Sequence, residues 1–235
     1  NISVYLSTDD FQGRSLLGSG IVNNSLDLPA DTPKQTYPRL AVYTLSSLVE
    51  QSTPTSLVLS DADASVSQVA LDDYDLDALE LGGLLTWEEP EDITQVINYA
   101  IYWAMGLSNE SNMWQCKTMN SSAQIGDDSD GGSILRPCRG ALYAEVPVGE
   151  SNLTVPVETH RGNYSHFMIY TRSSFVEQSW PTVLAIYDLN ASVSNIHFDG
   201  KDLDLYDLGG VLSWDPPDEV LRVDVYVAYL ATSDV

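Results

Sequence analysis

The alternation of apolar and polar positions along the chain predicts strands rather than helices. Over residues 97–103, Tyr99, Ile101 and Trp103 fall on one face and Asn98, Ala100 and Tyr102 on the other, which is the period of two of a half-buried strand. Residues 223–230 follow the same rule. Runs rich in β-branched and aromatic side chains predict further strands over 40–44, 56–59, 84–87, 142–146, 167–171 and 183–187. Clusters of Pro, Gly, Asn and Asp separate these runs, and no segment sustains a helical apolar stripe through three turns. Many short strands at this spacing predict an all-β chain built as sandwiches or barrels.

The pattern is also periodic on a larger scale. Leu81-Gly82-Gly83-Leu84-Leu85-Thr86-Trp87 returns as Leu208-Gly209-Gly210-Val211-Leu212-Ser213-Trp214, and Val49-Glu50-Gln51-Ser52 returns as Val176-Glu177-Gln178-Ser179, both displaced by 127 positions. Val4-Tyr5-Leu6 meets Ile101-Tyr102-Trp103 at a displacement of 97, so the middle copy carries about 30 extra residues and the basic unit has the size of one small domain. The register places residues 1 and 225 at the same point of the unit. The expected division is therefore 1–53 as the later part of a first unit and 54–180 as a complete unit with an insertion at about 108–142. Residues 181–235 form the early part of a third unit. The partial units are expected either to continue in a longer chain or to pair between subunits, and both arrangements give a filament or stalk.

Composition narrows the setting. At 43% hydrophobic residues the chain has enough apolar material for real cores, and no apolar run has the length of a membrane span. Its start carries no initiator Met, basic region or apolar leader, so a mature or partial chain is expected. The formal charge of −24 repels nucleic acid and anionic lipid, leaving cations or basic proteins as electrostatic partners. Seven Asn-x-Ser/Thr triplets, at Asn1, Asn23, Asn109, Asn120, Asn152, Asn163 and Asn190, exceed what eleven asparagines give by chance and point to N-linked glycans in the secretory pathway. Cys116 and Cys138, the only cysteines, both lie in the polar insertion. They read as a local disulfide in an oxidising compartment.

The run from Gly83 to Pro90, followed by Val96-Ile97-Asn98-Tyr99-Ala100-Ile101-Tyr102, resembles the B and C strands of fibronectin type III domains, where a core Trp precedes a Pro-containing turn and a Tyr-containing strand. Leu28-Pro29-Ala30-Asp31-Thr32 with Tyr37 and Val42-Tyr43-Thr44, and its counterpart Val155-Pro156-Val157-Glu158-Thr159 with Tyr164 and Ile169-Tyr170-Thr171, is similar to that family's E to F corner. The full set looks most like the tandem fibronectin-like repeats of very large proteins of marine unicellular algae. The resemblance implies tandem immunoglobulin-like β-sandwiches in a surface or extracellular setting, and carries no activity. One departure stands out: 33 residues separate Pro54 from Trp87, more than a usual A to B connection needs.

The acidic residues concentrate in that long connection. Asp72, Asp75, Asp77 and Glu80 recur as Asp199, Asp202, Asp204 and Asp207, while the intervening Asp73 and Tyr74 become Gly200 and Lys201. Four carboxylates this close repel one another unless solvated or neutralised, and a hard divalent cation with six to eight oxygen ligands neutralises them best. Calcium is the expected ion, with Asp61, Asp63, Asp188 and Asn190 as further candidate ligands across a unit boundary. The competing reading is a set of exposed turn and strand-edge residues. The acidic Asp127-Asp128-Ser129-Asp130 run of the insertion reads as a solvated loop.

No catalytic constellation stands out. His160, His166 and His197 are the only histidines, and two of them change type between copies; no nucleophile elbow, phosphate loop or zinc motif occurs. The chain is expected not to be an enzyme. It reads as an extracellular structural or adhesive repeat protein whose partners are neighbouring units or subunits of the same protein. The alternative is a binding module that recognises a carbohydrate or a cell-surface protein through the Cys116–Cys138 insertion loop, where Trp114 would be the exposed aromatic.

Overall fold

Regular structure is β throughout, fifteen strands and no helix, among the residues that the computed structural model describes: 1–61, 63–106, 125–127, 133–135 and 137–232. The first four strands are β1 (Ile2–Ser7), β2 (Arg14–Ile21), β3 (Arg39–Thr44) and β4 (Thr55–Val58), and they form one antiparallel sheet in the order β2-β1-β3-β4.

The central body has two sheets. β5 (Ser67–Asp73) and β6 (Glu80–Glu88) pair with β11 (Asn152–His160) in the order β11-β6-β5. β7 (Asn98–Met105), β10 (Cys138–Pro147), β12 (His166–Arg172) and β13 (Thr182–Ala185) form the order β10-β7-β12-β13. Within the insertion, β8 (Ile125–Asp127) and β9 (Ser133–Leu135) make a separate hairpin, and β14 (Ser194–Gly200) with β15 (Gly210–Asp215) makes a last one.

Apolar residues of both central sheets meet in a single core. Leu81, Leu85 and Trp87 from β6 and Val155 from β11 face Tyr99, Ile101 and Trp103 from β7, with Phe167 and Ile169 from β12. Trp103 stacks on Phe167 at 4.5 Å between ring centroids, and Trp87 meets Tyr99 edge-on at 5.5 Å. Burial of this apolar surface is the main favourable term for the body.

The repeat extends to the ladders. Tyr5 pairs with Ala41 and Tyr102 with Met168; Arg39 pairs with Val58 and His166 with Ala185; Asp72 pairs with Leu84 and Asp199 with Val211. Each second pair is the first one moved by one repeat. Left-handed backbone positions move with it, Leu79 (φ 72°) becoming Tyr206 (φ 75°) and Asp31 (φ 59°) becoming Glu158 (φ 60°).

The ladders divide the chain one strand later than the sequence boundaries at 53/54 and 180/181, because 55–58 pairs with β3 and 182–185 with β12. This accounts for the long stretch from Pro54 to Trp87, which holds β4 and β5 as well as the connection to β6. Two expectations are corrected. Residues 223–230 are not a strand, although the equivalent 96–103 region is laddered on both sides. No described strand ladders with 223–230, although Tyr226 packs on Trp214 of β15, and a segment becomes a strand only when a neighbour takes its N–H and C=O groups. Secondly, β7 is buried on both faces rather than one.

The reason is a covering layer on the outer face of its sheet. Tyr102 and Tyr170 meet edge-on at 5.5 Å, and the Arg139 guanidinium lies over both rings, 3.6 Å and 4.8 Å from their centroids. Glu177 ties the layer down, accepting from Arg139 at 2.6 Å and from the Tyr102 hydroxyl at 2.9 Å. The arginine stem and guanidinium shield apolar surface while the charge stays paired at the rim. Burial raises the Tyr102 pKa, and the bond to Glu177 adds to the rise.

The first sheet carries the same layer. Arg14 lies over Tyr5 and Tyr43 at 4.5 Å and 5.0 Å, and Glu50 accepts from Arg14 at 2.8 Å and from the Tyr5 hydroxyl at 2.9 Å. The opposite face of the first sheet is buried at Leu6, the counterpart of Trp103, and open toward β4. Val42 and Leu57 are 38% and 64% exposed, whereas Ile169, the equivalent of Val42, is 1% exposed in the central body.

Candidate functional site

The turn between β5 and β6 collects the carboxylates. Asp73 and Asp75, both buried, act as backbone caps. Asp73 accepts from the N–H of Asp75 (3.2 Å) and Gly82 (2.9 Å) through one oxygen and from Leu189 (3.3 Å) through the other. Asp75 accepts from the N–H of Asp77 (3.1 Å) and of Glu158 (2.8 Å). These bonds close the turn and join it to β11, which explains why short acidic side chains stand here.

Asp75, Asp77 and Glu80 bring carboxylate oxygens within 4.8 Å of one another. Glu158, from β11, adds a fourth acid: contact with Glu80 raises its pKa, and the charges of Glu80, Asp75 and Asp77 push it further up. The spacing of the acids in sequence gave no sign of Glu158, since only the β11–β6 ladder brings it to the turn.

The other expected ligands go elsewhere. Asp72 turns outward to the Tyr74 hydroxyl (2.8 Å) and to the Arg222 guanidinium, which also lies over the Tyr74 ring at 4.3 Å. In the last hairpin Asp202 caps Asp204 N–H (2.9 Å) as Asp75 caps Asp77, and Asp199 pairs with Lys201 (3.0 Å). Among the described residues, Asp202, Asp204 and Asp207 form no cluster with Asp199. Among the described residues the last hairpin has no third strand to supply a counterpart of Glu158.

Asp188 and Asn190 do not join the cluster either. Asp188 accepts from Leu79 N–H at 2.9 Å and from Arg161 Nε at 2.8 Å, while Ala191 N–H donates to the Leu76 carbonyl at 3.0 Å. The connection leaving the central body is thus pinned to its lower turn. Asn190 caps Ser192, as Asp63 caps Ser65. Lys34–Asp61, at 3.7 Å, is the repeat counterpart of Arg161–Asp188.

As a donor set, the cluster suits a hard cation in chemistry and falls short in number. Both Asp75 oxygens already accept backbone N–H bonds, so Asp77, Glu80 and Glu158 would supply the free oxygens and water the remainder. Neutralisation by protons obeys the same electrostatics. A raised carboxyl pKa in the folded state means stability that is fully present below the ordinary carboxylate pKa and lost as pH rises through the higher folded value. Melting temperature is therefore expected to fall as pH rises above the ordinary carboxylate range and to be restored at neutral pH by millimolar calcium. Glu158→Gln should raise the pH 7 melting temperature and flatten the pH profile, and Asp77→Asn should remove the calcium response. Melting that ignores calcium in the unaltered chain would remove the cation.

The histidines show no arrangement for catalysis among the described residues. His160 Nδ1 stands 3.7 Å from Glu80 at the exposed edge of the cluster. His166 shares a 2.8 Å hydrogen bond with Ser165 Oγ, which also accepts from Gly106 N–H, and burial lowers the His166 pKa. Cys138 is buried against Met105, and no described cysteine is free. Its expected partner Cys116 lies outside the described residues, as do Asn109, Asn120, Trp114, Asp128 and Asp130. The five sequons within the described residues, Asn1, Asn23, Asn152, Asn163 and Asn190, are all exposed. No family model matches the chain, and no curated protein matches it.

Proposed function

We propose that this chain is a length of an extracellular, glycosylated structural or adhesive fibre made of tandem fibronectin type III-like sandwiches, akin to the large algal surface proteins it resembles. One observation carries the reading: the sheet β2-β1-β3-β4 and the sheet β10-β7-β12-β13 have the same strand order, pairing register and Arg–Tyr–Tyr–Glu layer, so one unit is used repeatedly. A unit repeated in series builds length by nearest-neighbour contacts, which suits load and spacing. The division of strands supports the finer assignment, with β6 and β11 in one sheet and β7, β12 and β13 in the other, as B and E stand opposite C, F and G in that family. The pinned Asp188 connection supports a stiff joint between successive units.

Antibodies against the chain should label the cell surface or its extracellular matrix, and peptide N-glycosidase should lower the mass of the natural protein. Cytosolic labelling of an unglycosylated protein would overturn the proposal.

A further inference from the structure

The open face of the first sheet has a matching piece in the last hairpin, and both are already in shape. In the central body the face of β7 and β12 is covered by β5 and β6, with β11 paired to β6. Among the described residues the first sheet repeats β7 and β12 as β1 and β3 without such a cover, and the last hairpin repeats β5 and β6 but covers no sheet, leaving Ile196, Leu208 and Leu212 at 68%, 67% and 41% exposure where the counterparts of the last two, Leu81 and Leu85, are fully buried.

The segment equivalent to β11 is also preset. Residues 25–33 correspond to 152–160 and belong to no strand. Yet Asp31 already adopts the left-handed φ of Glu158, 59° against 60°, and Thr32 Oγ1 donates to the Pro29 carbonyl at 2.7 Å as Thr159 donates to Pro156. No described strand ladders with 25–33, and a segment in that state is open to a strand partner.

We propose that the β14–β15 hairpin of one copy of this chain docks on the first sheet of a second copy, with β15 pairing along residues 25–33 and completing a sandwich like the central one. The inference rests on the tandem-repeat reading, and continues the interface that joins the two central sheets. Moving the β11–β6 ladder by one repeat sets the register: Leu26 opposite Leu212, Asp27 opposite Val211 and Leu28 opposite Gly210. Asp61, whose counterpart Asp188 accepts from Leu79 N–H, would accept from Tyr206 N–H, which has the same left-handed backbone.

The contact joins different surfaces of the two copies. The connection from β4 to β5 and the connection from β13 to β14 both run eight residues, 59–66 and 186–193. Each copy therefore adds the next in the same direction, and such head-to-tail contacts extend rather than close. Docking also brings Ile2, the counterpart of Tyr99, onto Trp214, where Tyr226 now sits edge-on at 5.5 Å. Residues 223–230 make no ladder while β1 is laddered on both sides, so it is Tyr226 that leaves.

Two variants of the full chain test the register. Val211 and Asp27 would face each other directly, at a separation a disulfide spans. Asp27→Cys mixed with Val211→Cys should give disulfide-linked dimers, and the double variant a ladder of longer species, while Asp27→Cys with Asp215→Cys should give neither. The second variant uses a glycine. A Cβ on Gly82 would lie 2.7 Å from the Val157 backbone of β11, whereas on Gly209 it meets only the Asp202 side chain at 3.1 Å. Gly209→Val should thus leave the hairpin intact and weaken association at least tenfold, read as mass against concentration by light scattering.

A monomer at every concentration, equal cross-linking by both cysteine pairs, or unchanged association of Gly209→Val would each overturn the docking. Surface labelling and the thermal unfolding of the central body would be untouched by such failures, so the tandem-repeat reading falls only on its own tests.

Discussion

Trp87→Ala is expected to cost the central body about 3–5 kcal/mol, and Trp214→Ala, at the same place in the repeat, about 1 kcal/mol or less. The two indoles have the same ring partner in the same pose: Trp87 meets Tyr99 at 65° and Trp214 meets Tyr226 at 63°, each pair 5.5 Å apart. Their surroundings differ. Trp87 is 4% exposed and packed among Leu85, Val146 and Ile169, whereas Trp214 is half-buried on a two-stranded hairpin. Removing Trp87 leaves a cavity that two laddered sheets cannot collapse; removing Trp214 exposes surface that water already reaches. Denaturant midpoints of the two variants, followed by circular dichroism, decide the matter, and equal losses would mean that the last hairpin lies inside a core of its own.

The second large effect falls on the glycine pair that marks the repeat. Gly82→Ala is expected to destabilise the central body by about 3 kcal/mol, because the new methyl would sit 2.7 Å from the Val157 backbone, main chain rather than the movable end of a side chain. Gly83→Ala should cost as much for a different reason. Its Cβ would overlap the Asp72 carbonyl across the β5–β6 ladder, and its backbone sits at φ 156°. The last hairpin separates these causes: Gly210 meets the Asp199 carbonyl in the same way, but Gly209 faces no third strand. Gly210→Ala should therefore disrupt the β14–β15 hairpin while Gly209→Ala leaves it intact, as amide exchange of the hairpin would report. Protection lost equally in both would show that the first glycine also serves the hairpin itself rather than a third strand.

That pair of glycines also shows how far the chain could be read unaided. The doubled Leu-Gly-Gly signature identifies the repeat and its displacement, and the ladders keep that displacement pair for pair. What the signature cannot reveal is that each glycine answers to a different strand, one local and one 75 residues away. The arginines of the covering layer were missed for a related reason. Arg14 and Arg139 stand in equivalent ladder positions, opposite Ser7 and Ala104, but the insertion and unequal loops put them out of step with both displacements. Glu50 and Glu177, in the repeated Val-Glu-Gln-Ser run, were the visible half of that layer.

The acidic run divides along the same line. Its recurrence was legible, its partition was not: of four matching acids, Asp72 turns to solvent, Asp75 caps backbone and Asp77 and Glu80 face Glu158. By itself the sequence determined the all-β character, the repeat and the positions of seven of the fifteen strands, because alternation and turn residues are local properties of a chain. Tertiary structure alone decided which of those segments became strands and which faces became core. Residues 223–230 and 25–33 have the pattern of laddered segments elsewhere in the chain and join no ladder among the described residues, and the inner face of β3 has the pattern of β12 yet leaves Val42 exposed. Hydrogen bonding across a ladder and burial across a core each need a second element, and no pattern within one segment specifies whether that element is there.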